Sequence, residues 1–149
     1  MSAMDELAKR LAGFEGRVAK VGWFETARYP EGEQVATVAL IQELGAPGAN
    51  IPARPFIQPT ISAQGEKWKE NISKGVQAVV RGATTAENVL TIVGQQAAGD
   101  IRKTISEVRT PPLADSTIAQ RMREGRTDQP LNRTGLMIAT CTSVVGDAE

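Results

Sequence analysis

"VQAVVRGATTAENVLTIV", Val76 to Val93, is the stretch on which the fold turns. Val76, Val79 and Val80 close one apolar stripe at helical spacing, and Leu90 and Val93 open another. Between them, Gly82 suits a helix C-terminus, where a residue often takes positive φ. Thr84-Thr85-Ala86-Glu87 then has the spacing of a capping box, which starts a new helix. The two helices are joined by about two residues, and so short a connection folds the second back along the first.

Working outward, Ile61, Trp68 and Ile72 extend the first stripe. They predict a long helix from about Pro59 to Gly82, with Lys67, Lys69, Glu70 and Lys74 elsewhere on its surface. Ala97, Ile101, Ile105 and Val108 carry the second helix to about Arg109, before Pro111-Pro112 stops it. Gly94 and Gly99 each cost this helix up to about 1 kcal/mol relative to alanine, which implies close packing.

The ends of the chain supply the sheet. Arg17 to Glu25 reads as a strand whose better core face holds Ala19, Val21 and Trp23. Trp23 and Phe24 are neighbours, so they face opposite sides and one of them needs a cover. Leu136 to Val145 is dense in β-branched residues and is the second strand. Two strands make a marginal sheet, so either a third is present or the edges pair with another subunit. Ser2 caps an N-terminal helix to Leu11, with Asp5 in its first turn and Gly13 and Gly16 beyond its end. Its apolar row is Met4, Leu7, Leu11 and Phe14. Arg28 to Gly32 is a turn, and Glu33 to Leu44 is a short helix ended by Gly45. Asp115 or Ser116 caps another short helix through Met122. The expected architecture is α+β: a long antiparallel helix hairpin packed on a small antiparallel sheet, its strands drawn from both ends of the chain. One domain spans 1–149, with a flexible loop at about 123–130.

Between the short helix and the hairpin lies "ANIPARPFIQPT", Ala49 to Thr60. Pro52, Pro55 and Pro59 stiffen it by fixing φ. Arg54 and Phe56 have two readings: they anchor the elbow to the chain's own hairpin, or they face another subunit. On the second reading Arg54 meets a carboxylate across the interface and Phe56 fills an apolar pocket.

Composition excludes several chemistries. The chain has no histidine, which removes Ser-His-Asp and Cys-His catalysis and imidazole-bound zinc. No phosphate-binding glycine motif is present; Gly45-Ala-Pro-Gly48 lacks the P-loop Lys-Ser/Thr. Glu25, Glu31, Glu33 and Glu43 have no base–nucleophile partner in the pattern, and most read as solvated surface. Glu43 differs, because it closes an apolar helix and is placed to hydrogen-bond locally. The single cysteine, Cys141, sits in an apolar run and reads as buried and inert. Lys+Arg and Asp+Glu both number 17, so net charge is zero and a generic polyanion binder is disfavoured. Arg102, Lys103, Arg109, Arg121, Arg123, Arg126 and Arg133 read as a solvated face balanced by nearby acids. No aromatic interleaves with them, so single-strand base stacking has no support. All three Phe, both Trp and the one Tyr precede position 69, so the later half packs with aliphatic residues and alanine. The N-terminus has no signal-peptide pattern and the longest uncharged run, Thr134 to Gly146, is too short for a membrane helix. The expectation is a soluble, non-enzymatic protein without cofactor or metal.

The order of segments resembles the small neck and tail-completion proteins of long-tailed bacteriophages. The matching pieces are "VGWF" at Val21, "ARYPEGEQVATVALIQELGAPGANIPARPFIQP" at Ala27, Trp68, "GDIRKTI" at Gly99, "PPLADSTIAQR" at Pro111 and "PLNRTGLM" at Pro130. They span about Val21 to Val145. Leu44 stands where the family often has Phe, and Arg133 where it tends to have an acid. The resemblance implies a virion structural protein at the head–tail junction, made in the host cytoplasm and forming a ring, often sixfold, around the DNA channel. Its partners would be further copies of itself and neighbouring neck and tail proteins, with no membrane contact and DNA passing without sequence-specific binding. The subunit-interface candidates are Arg54, Pro55, Phe56, Trp23 and Arg133. Two other readings remain: a tail terminator or minor tail protein capping the tube, and a small DNA-binding regulatory factor.

Overall fold

The computed structural model describes residues 2–126, 128, 130–131 and 135–149. Arg133, and Thr127 and Gln129 of the expected loop, lie outside the described residues. The elements are α1 (Ala3–Ala12), β1 (Arg17–Gly22), α2 (Val35–Leu44), α3 (Ile57–Val80), α4 (Ala86–Glu107), α5 (Asp115–Arg123), α6 (Leu136–Thr140) and β2 (Thr142–Asp147), with a 3-10 turn at Pro47–Ala49. The fold is α+β, with the two long helices against a small antiparallel sheet of β1 and β2, as the sequence implied.

The chain divides into two compact units, each made of segments distant in sequence. The first takes Met1–Val21, Ala63–Gly99 and Thr142–Glu149. Here β1 and β2 pair in antiparallel register, with Ala148 N–H donating to Gly16 O at 2.8 Å. Arg17 and Lys20 add ion pairs to Asp147 (2.9 Å) and Glu149 (3.0 Å), whose carboxylates are exposed, so each contributes little. The core is aliphatic: Val79, Ala86, Val89, Val93, Ala97 and Ala98 are all buried. α3 and α4 pack tightly along this stretch. A Cβ on Gly75 would overlap the methyls of Val89, and Asn71 Nδ2 donates to Gln96 Oε1 at 2.6 Å. Gly94 has a different neighbour. A Cβ there would lie 3.1 Å from Ser143 and 3.3 Å from Ala19, so this glycine lets α4 approach the sheet.

The second unit takes Gly22–Ser62 and Asp100–Cys141. Its core holds Val35, Ala39, Phe56, Ile101, Ile105, Leu131, Met137 and Cys141 together with Thr60, Arg54 and Arg121. Thr60 Oγ1 lies 2.6 Å from Thr104 Oγ1, joining α3 to α4.

Several boundaries moved. α1 begins on a full capping box, Ser2 and Asp5 exchanging bonds of 3.2 and 3.1 Å, but none of its residues is buried and Met4 is exposed. β1 stops at Gly22, whose φ of 147° turns the chain before Trp23 and Phe24 can join the strand. α4 is capped by Thr85, which accepts from Asn88 N at 3.3 Å, one residue after the expected Thr84. α5 has Ala114 at its cap, so neither Asp115 nor Ser116 caps it. The expected strand at Leu136–Val145 is half helix. Gly135 at φ 74° opens α6, and Thr140 Oγ1 closes it by donating to Leu136 O at 2.7 Å. Burial of Met137 in this turn outweighs the β-propensity of the run. The stripe on α3 is also only partly covered, since Ile61, Ile72 and Val80 remain exposed.

Candidate functional site

The elbow is built from its backbone outward. Gly45 ends α2 at φ 75° with Ala53 N so near that a Cβ would clash at 2.7 Å. No other residue type fits that turn without strain. Ala46 and Ile51 then pair as an isolated bridge, and Arg54 N donates to Gln42 O at 2.7 Å. The elbow is thereby laced back onto α2.

Glu43 completes the lacing. Its carboxylate accepts from the backbone N–H groups of Phe56 (2.7 Å), Ile57 (2.9 Å) and Gln58 (3.1 Å). These donors open α3 and have no partner within the helix. A full negative charge on them also complements the helix dipole. Glu43 is thus a cap delivered from a different helix, which is why α3 starts at Ile57. Pro59 falls in the first turn, where its missing N–H costs nothing.

Arg54 is 5% exposed. Its Nε donates to Pro111 O at 2.7 Å and its Nη2 to Pro112 O at 3.0 Å. The planar fork thus grips the segment that follows α4. Phe56 is fully buried, and Trp23 meets it edge to face at 5.7 Å between ring centres. The indole Nε1 donates to Met137 O at 2.9 Å. The structure therefore gathers Trp23 and Phe56 in one contact and ties Arg54 into the same unit. Pro55 is exposed between Arg54 and Phe56. Phe56 is thus packed inside the unit, and Arg54 spends two of its three side-chain nitrogens there.

Beside the elbow is a cleft of about 380 Å3. Val38, Leu113, Leu131 and Met137 give it apolar walls, and Arg54, Arg121, Tyr29, Gln42, Glu31 and Glu33 give it polar groups. Arg121 is 9% exposed, whereas Glu31 and Glu33 are open to solvent. Burial, then the charges of Glu33 and Glu31, push the Tyr29 phenol up, so it stays protonated near neutral pH. Burial alone pulls the Arg54 guanidinium down. No carboxylate within ion-pair distance offsets it among the described residues.

Sequence reasoning placed Arg121 on a solvated face and did not single out Tyr29. The signal for Arg121 was available: it lies three residues after Ile118 on α5, and both share the inward side. Cys141 is fully buried at the junction of α6 and β2, and burial pushes its thiol up to about 11, against a smaller pull from Arg102. It is no nucleophile at neutral pH. Among the described residues no cluster of three or more His, Cys, Asp or Glu is placed to hold a metal, and no helix is long and apolar enough to cross a membrane.

Comparison with known proteins finds no family model, curated protein or solved structure that matches this chain.

Proposed function

We propose that the chain is a virion structural protein of the head–tail junction of a long-tailed bacteriophage, a neck or tail-completion subunit that assembles as a ring around the DNA channel. The observation that carries the reading is the apolar ridge of α2. Leu40 and Leu44, one helical turn apart, are 58% and 67% exposed. Leu44 borders a shallow hollow that Pro47, Ile51 and Pro52 also line. α2 is apolar on nearly all sides, a pattern proper to a helix covered all round. The elbow behind the ridge is tightly bonded, so it offers a stiff surface that loses little entropy on docking.

A further copy of this chain is the occupant that fits. Zero net charge leaves no self-repulsion to oppose association. Among the described residues β1 and β2 pair with each other alone, so each has an edge that another chain can extend. A head-to-tail contact that closes by rotation gives a ring. The segment order described for the sequence supplies the phage context. In such a ring DNA would pass without sequence readout, and assembly would take place in the host cytoplasm before the subunit enters the virion.

The test is imaging of particles assembled without the chain. Filled heads and complete tails that remain unjoined are expected, with joining restored when the protein is added. Normally joined particles in its absence would overturn the reading.

A further inference from the structure

We propose that the cleft beside the elbow is a binding site for a carboxylate carried on a short apolar stem. The inference does not depend on ring formation. It rests on what faces the cleft and on what the fold leaves unused. Arg54 is more than nine-tenths buried, and two of its three nitrogens are spent on the carbonyls of Pro111 and Pro112. Its Nη1 has no acceptor among the described residues, and carbonyl dipoles offset only part of a buried charge. A buried charge without a counter-ion is costly, so an anion drawn to it gains more than it would at the surface.

The neighbouring groups fit the same ligand. The Tyr29 hydroxyl has no hydrogen-bond partner among the described residues, and it stays a donor because its proton is held. Arg121 adds a second buried guanidinium to the lining. Val38, Leu113, Leu131 and Met137 would enclose an aliphatic stem. The volume, about 380 Å3, falls at the small end of ordinary ligand sites. Glu31 and Glu33 oppose an anion, but they are exposed and screened by solvent and salt, whereas the arginines are not. The same pair disfavours a phosphate, whose second charge doubles the repulsion while its size leaves the apolar walls uncovered.

Two sources present this chemistry: a free aliphatic acid, and a glutamate side chain or C-terminal residue of another polypeptide. The experiment separates them. The full-length protein, with methyl groups labelled for nuclear magnetic resonance, is titrated with hexanoate, with hexanamide, and with a short peptide holding one glutamate between leucines. Hexanoate or the peptide is expected to shift the methyls of Val38, Leu113, Leu131 and Met137, and hexanamide to bind at least about tenfold more weakly. The tighter of the two acids identifies the source. Tyr29→Phe is expected to weaken binding about tenfold with unchanged thermal unfolding, because its hydroxyl has no hydrogen-bond partner among the described residues. Equal binding of amide and acid, shifts confined to other methyls, or no shift with either acid at millimolar concentration would overturn the proposal.

Discussion

Arg54 holds two carbonyls with one planar group, and a shorter or differently shaped side chain cannot do both. Arg54→Ala removes both donors from the carbonyls of Pro111 and Pro112 and empties the space of a buried side chain. It is expected to cost about 2–4 kcal/mol in urea unfolding. Arg54→Lys recovers only part, because an ammonium lacks the fork. Glu43→Gln keeps the shape of the cap but halves its acceptors and removes the charge. A loss of about 1–2 kcal/mol is expected, with α3 fraying first at Ile57 by amide exchange. Cys141 gives a pH signature. Its thiol titrates near 9.0 when free and at about 11 in the fold. Above pH 9 the unfolded chain sheds a proton that the native chain keeps, so stability falls as pH rises from 9 to 11. The thiol's share is about 2–3 kcal/mol across that window, and Cys141→Ala should remove that part of the slope. Tyr29, also raised by burial, adds a decline in the same sense above pH 10.

Elements show where local rules suffice and where packing overrides them. The hairpin was legible because two long apolar periods, a glycine and a threonine cap all agreed across Val76–Val93. The burial of Val93, Ala97, Ile101 and Ile105 followed from period alone. The half-helical character of Leu136–Val145 was not legible, since β-branched composition favours a strand and only the burial of Met137 decides otherwise. Nor was the cap of α3, because its carboxylate comes from 14 residues before Ile57. The elbow was visible as a joint, but the direction of Arg54 was not, since a charged side chain between prolines suits surface and core equally. Two glycines separate the competing effects in the helices. Gly75→Ala gains up to about 1 kcal/mol of helix propensity but drives a methyl into Val89, which costs about 1–3 kcal/mol. A net loss is expected, and Val89→Ala in the same chain should recover part of it, so that the pair is not additive. Gly94→Ala meets its neighbours at 3.1–3.3 Å, so the two effects nearly cancel and the change in midpoint should be small.

At the scale of the whole molecule, stiffness and exposure coincide. The α2–elbow segment is fixed by Glu43, Arg54 and the Trp23–Phe56 contact, yet Leu40 and Leu44 are left in water on its outer side. Full burial of a leucine contributes about 1.5–3 kcal/mol, and more than half of that remains to be gained at each position. Leu40→Glu with Leu44→Glu should abolish self-association while leaving the monomer folded, because neither side chain belongs to the core. The most direct measurement is the molar mass of the purified protein by light scattering, beside this double variant. A closed ring with a mass several times 15.9 kDa is expected for the native chain, and 15.9 kDa for the variant. A native chain that stays at 15.9 kDa as concentration is raised, or a variant that assembles equally well, would contradict the account.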